Sequence, residues 1–129
     1  MKSYRDLDIY NEAKRLAIEI HKLSFTLPKI EMYEEGSQIR RSSKSVAANI
    51  VEGYGRGRYK ADFIKYLVYS QSECDETIVH LDFLYETGSL TDKSKYEELN
   101  KEYDLLSRRI NKFTQWVEAN WNEPPEPKN

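Results

Sequence analysis

Only one cysteine, Cys74, and two histidines, His21 and His80, occur in the 129 residues. A lone thiol excludes an intramolecular disulfide framework and a multi-cysteine zinc site. Five glycines and four prolines are too few for a fold made of many strands and tight turns, and three of the prolines fall in the last six residues. Pro28 is therefore the single break in the body of the chain. No apolar run approaches the roughly 18 residues of a membrane helix. The first ten residues carry charge where a signal peptide carries a hydrophobic stretch. The expectation is a cytoplasmic protein with no membrane partner. What is abundant is charge, 33% of residues against 39% hydrophobic, in a length that suits one domain with its own core.

The apolar residues recur at helical spacing. Ile9, Ala13, Leu16, Ile20, Leu23 and Leu27 alternate steps of four and three until Pro28, the seam of an amphipathic helix. A second run, Ile39, Ser43, Val46 and Ile50, opens after Gly36 with Ser37 as the expected N-cap and closes at Gly53. It is rich in small residues (Ser42, Ser43, Ser45, Ala47, Ala48), which lets a neighbouring helix approach closely. The third seam is Phe63, Leu67, Ser70, Cys74, Thr77, Leu81 and Leu84, ending at Gly88. Tyr96, Leu99, Tyr103, Leu106, Ile110, Phe113 and Val117 form the fourth, with Thr91 as its expected N-cap. Short connections at residues 28–37, 53–59 and 88–91 predict an all-α, antiparallel up-down-up-down four-helix bundle over residues 1–121. The proline-rich residues 122–129 read as a disordered tail. Aromatics beyond the seams, Tyr69, Tyr85, Trp116 and Trp121, fit either wide core faces or a contact between subunits.

Catalytic patterns are thin. A dimetal carboxylate bundle needs two Glu-x-x-His pairs, but residues 18 and 77 are Ile18 and Thr77. Glu76 lies four before His80, a spacing that can share one helix face. Cys74 sits on a seam, where burial raises the thiol pKa and lowers reactivity, and six residues of helix turn His80 away from it. No catalytic residue, metal site or cofactor is expected.

Charge is unevenly placed. Residues 38–65 hold Arg40, Arg41, Lys44, Arg56, Arg58, Lys60 and Lys65 against Glu52 and Asp62, so this stretch is +5 while the whole chain is −2. Such asymmetry suits a local anion-binding surface. Within it, Gly53, Gly55 and Gly57 alternate with Tyr54, Arg56 and Arg58. The segment lacks the Gly-Lys-Ser/Thr ending of a nucleotide loop and reads either as a helix end with a flexible turn or as a nucleic-acid contact in which Tyr54 and Tyr59 stack on bases. The candidate nucleic-acid residues are Arg40, Arg41, Lys44, Arg56, Arg58 and Lys60. A polar stripe on the second helix, Gln38, Arg41, Ser45, Asn49 and Glu52, is either solvated or packed against a subunit or ligand. Asn49 and Glu52 are also placed to brace the turn at Gly53.

The residues Gln38-Ile-Arg-Arg41, Ser45-Val-Ala-Ala-Asn-Ile-Val-Glu-Gly53, Arg56, Phe63-Ile-Lys-Tyr-Leu67 and Ser72-Glu-Cys-Asp-Glu-Thr77 resemble the four helix bundle protein family. It includes proteins encoded in intervening sequences of bacterial large-subunit ribosomal RNA genes. The resemblance implies a left-handed up-down bundle, a homopentamer and no established enzymatic activity. A similar branch, the accessory proteins of diversity-generating retroelements, binds nucleic acid together with a reverse transcriptase. The function expected from residues and resemblance together is a non-enzymatic homo-oligomeric bundle that contacts ribosomal RNA or another nucleic acid. The alternative is a protein-interaction scaffold with no nucleic-acid role.

Overall fold

The computed structural model describes residues 2–122. A 3-10 turn, Tyr4–Asp6, precedes α1 (Asp8–Ser24), a one-turn helix α2 (Lys29–Met32), α3 (Glu35–Gly55), α4 (Lys60–Glu86) and α5 (Lys93–Asn120). Ser3 and Asp6 form a reciprocal capping box at the entrance, and the Asp6 carboxyl is held below its usual range by the Lys2 and Ser3 backbone N–H groups. The long helices pack in the ring order α1, α3, α4, α5, each against the two beside it, with short links reversing the direction. The result is an all-α up-down-up-down four-helix bundle, as the periodicity predicts. The expected tail lies outside the described residues except for Asn122, which is exposed.

The seams lie largely where the spacing places them, although Leu23, Tyr96 and Phe113 are only half-buried and Ser107 and Thr114 join the buried side of α5. All seven expected seam positions of α4 are buried and no other α4 residue is. Leu16, Ile20, Ile39, Val46, Ile50, Phe63, Leu67, Leu81, Leu99, Leu106 and Ile110 are essentially sealed from solvent, and their loss of contact with water supplies the main drive to fold. Between α3 and α4 the hydroxyl groups of the seam pair across the interface: Ser42 Oγ lies 2.8 Å from Thr77 Oγ1, and Ser70 Oγ donates to the Val46 carbonyl at 2.7 Å.

Helix ends depart from the expectations, each for a local reason. α1 stops at Ser24, four residues before Pro28, because the Phe25 and Thr26 N–H groups turn back to the Lys22 and Leu23 carbonyls. Leu27 is still buried, but from the connection. Ser37 does not cap α3, which starts at Glu35 with no side-chain cap. Gly36 belongs inside its first turn, where a Cβ would stand 2.9 Å from the Glu31 carbonyl oxygen. Gly53 is no C-cap either. The helix runs on to Gly55, and a Cβ on Gly53 would lie 3.1 Å from Tyr66 Cβ and 3.2 Å from the Phe63 carbonyl oxygen. These glycines permit close approach rather than ending a helix. Asp92, not Thr91, caps α5, accepting from the Lys95 N–H at 3.0 Å, where a carboxylate also favours the helix dipole.

Candidate nucleic-acid interface

The link between α3 and α4 is a fixed corner. Trp121 Nε1 donates to the Gly57 carbonyl at 2.7 Å, and a Cβ on Gly57 would fall 3.1 Å from the indole. The N–H groups of Arg56, Gly57 and Tyr59 turn back to the carbonyls of Glu52, Tyr54 and Arg56. Those donors are therefore engaged by the turn itself and do not face outward towards an anion. The corner presents side chains instead. Arg58 and Tyr59 are exposed, Tyr59 at 58%, and Arg58 makes no ion pair with a described residue. Lys60 opens α4 beside them. Arg56 Nε donates to Glu52 at 2.9 Å, and its guanidinium lies 5.0 Å from the centre of the Tyr66 ring, with Asp62 3.9 Å away. Tyr54 packs edge-on against Phe63 and belongs to the core margin.

The other candidate cations do not join this corner. Arg41 and Arg56 are fifteen residues apart on one helix, about 22 Å at 1.5 Å per residue. Arg40 is held within the fold, donating to Ser24 Oγ and to the Met32 carbonyl, both at 2.9 Å, with its guanidinium over the Phe25 ring. It fastens α3 to the α1–α2 connection. Arg41 donates to Glu76 Oε1 at 3.1 Å on α4. On the polar stripe, Gln38, Arg41 and Glu52 are exposed, and Ser45 and Asn49 half-buried. Asn49 donates to the Ser45 carbonyl and Glu52 accepts from Arg56, so neither braces Gly53.

Glu76 and His80 do share a face. His80 sits between two carboxylates, its Nδ1 2.6 Å from Glu35 Oε2 and its Nε2 3.4 Å from Glu76 Oε1. The pair joins the start of α3 to α4. Among the described residues no group of three His, Cys, Asp or Glu is arranged to hold a metal ion. The Cys74 thiol donates to the Tyr103 carbonyl at 3.2 Å, and burial pushes its pKa up to about 12, which leaves almost no thiolate at neutral pH.

Lys44 has a different setting from the other cations. It rims a groove of about 390 Å³ between α1 and α3, lined also by Lys14, Ala17, Ile18, His21, Lys22 and Ala47. Nothing in the sequence pattern singles out Lys14 and Lys22. Their eight-residue spacing puts them on one flank of α1, a signal with meaning only once α3 is packed alongside.

The fold has relatives. A protein of unknown function from the S23 ribosomal protein family of Bacteroides thetaiotaomicron VPI-5482 has a similar crystal structure, with a TM-score of 0.75 and 26% identity over 83% of this chain and 95% of that one. No curated protein matches. Neither description names an enzymatic activity, and among the described residues no helix is long and apolar enough to cross a membrane. Residues 5–112, which take in the small-residue α3, its packing glycines and the basic corner, match the family described as 23S rRNA-intervening sequence protein, and the chain belongs to that family.

Proposed function

We propose that the chain is a non-enzymatic, cytoplasmic homo-oligomer, five-membered as the resemblance implies, that contacts RNA through the α3–α4 corner. The observation that carries this reading is the exposed pair Arg58 and Tyr59 on a turn pinned by Trp121. Arg58 can meet phosphate without first leaving a carboxylate, and Tyr59 offers a face for an unstacked base. Arg56, Lys60 and Lys65 extend the same surface. The family description, referring to 23S rRNA, points to ribosomal RNA as the first ligand to try. Repetition of one modest corner in several copies raises avidity without a strongly basic chain. Assembly is supported by α4, whose outward face carries Val68, Tyr69, Val79 and Phe83, each about half exposed. A group of large apolar side chains gathered on one exposed face marks a surface that a partner covers.

The experiment is a titration of the intact protein with labelled large-subunit ribosomal RNA fragments at rising salt. Affinity that falls steeply with salt, and that Arg58→Glu lowers about tenfold or more with helicity unchanged, supports the reading. Absence of binding at low ionic strength overturns it. Partners then captured regardless of nuclease treatment favour the scaffold, a role suited to a chain whose Arg40, Arg41 and Arg56 are all engaged within the fold.

A further inference from the structure

Two surfaces of the chain each combine apolar side chains with charge of one sign. On α4, Val68 and Val79 are eleven residues apart, about 20° from perfect alignment on a helix, and Phe83 follows one turn later. All three are about half exposed. Asp75, Asp82 and Glu86 run along the same stretch. Asp75 accepts from Ser107 Oγ, and Asp82 from the Tyr96 hydroxyl and Asn100 Nδ2, but none of the three carboxylates meets a cation among the described residues. On the other side, the α1–α3 groove has a floor of Ala17, Ile18 and Ala47 and a rim of Lys14, Lys22 and Lys44, with no carboxylate in its lining. None of these lysines is ion-paired with a described residue. Ile18 in the floor is 47% exposed.

We infer that the outer face of α4 in one copy docks into the lysine-rimmed α1–α3 groove of the next, joining subunits head to tail. The inference deepens the oligomer reading above and rests on it. The apolar centres match, the flanking charges are opposite, and the extents agree: Asp75 to Glu86 spans about 16 Å of helix and Lys14 to Lys22 about 12 Å. Within one chain the two surfaces cannot meet, because α4 stands diagonally from α1 in the ring of helices. An α4-on-α4 contact would leave Ile18 and three lysines uncovered. Joining two different patches makes a heterologous contact, which repeats from copy to copy and closes into a ring when the rotation allows. Charge complementarity then selects the register of the two surfaces.

The test uses two full-length variants, Val79→Asp/Phe83→Asp on the face and Ile18→Glu/Lys44→Glu in the groove. Every altered residue is exposed, so unchanged circular dichroism establishes that both remain folded. Each variant alone is expected to sediment near the 15.3 kDa chain mass. Mixed one to one they are expected to form a species of twice that mass, since the face variant keeps an intact groove and the groove variant an intact face. A mixture that stays monomeric while the native protein is oligomeric overturns this pairing and leaves the oligomer reading standing. A native protein that is itself monomeric at high concentration overturns both. A groove variant that keeps its native mass but loses affinity for RNA assigns the groove to nucleic acid and also overturns the pairing.

Discussion

The α3–α4 and α1–α5 contacts solve the same packing problem with opposite means. α3 and α4 pack most extensively of any pair, and their seam holds small or hydroxyl-bearing residues: Gly53 under Phe63 and Tyr66, Ser42 on Thr77, Ser70 on the Val46 carbonyl. α1 and α5 share far less contact and are bridged at the surface by long charged side chains. Arg15 reaches Glu102 at 3.2 Å, Arg109 reaches Glu12 at 3.5 Å and Lys95 reaches Glu19 at 3.5 Å. Short side chains draw two backbones together and bury their few polar groups in pairs. Extended charged ones span a wider gap while keeping their heads in water, where a pair contributes little.

The contrast breaks first at Gly53. Gly53→Val forces α4 outward against the Phe63 carbonyl, which cannot swing aside as a side chain can. The expected loss is about 2–3 kcal/mol, read as an earlier midpoint in urea unfolding; an unchanged midpoint would mean the close approach has no energetic weight. A subtler probe is Glu73 on α4, whose Oε2 is buried without a hydrogen-bond partner and whose pKa is raised, first by burial and then by Glu76. A carboxyl with a raised folded pKa favours the folded state when protonated, and that advantage is lost as pH rises through the folded value. Glu73→Gln is therefore expected to stabilise the bundle at pH 7 by up to about 1 kcal/mol. Its advantage should shrink as pH falls towards the ordinary glutamate range. Thermal melts at pH 7 and pH 4 check the sign, and equal effects at both would remove the electrostatic cause. The smallest effect is expected across α1–α5. Arg15→Ala removes contacts to Glu12, Glu19 and Glu102 yet should cost under about 1 kcal/mol, less in high salt. A loss rivalling that of Gly53→Val would erase the distinction between the two seams.

Much of the core was legible in advance because a seam is a local property. Phe63, Leu67, Cys74, Leu81 and Leu84 declare their burial by spacing alone. Gly36, Gly53, Ser37 and Thr91 did not declare their roles, since a glycine that ends a helix and a glycine that admits a neighbour look alike until the neighbour is in place. The candidate site was less legible still. Arg40, Arg41, Lys44, Arg56 and Arg58 are equivalent as letters, but Ser24 and Met32 engage the first, Glu76 the second and Glu52 the fourth.

Helix content, the four buried faces and the break near Pro28 follow from side chains a turn apart, so the order of residues settles them. Which cations remain available, how Lys14 and Lys22 come to stand with Lys44, and how Trp121 pins Gly57 were decided by the tertiary structure. Arg40 with Ser24, Arg41 with Glu76 and Gly57 with Trp121 are contacts between residues sixteen, thirty-five and sixty-four positions apart, and their distances depend on how closely the helices pack, which no local period encodes.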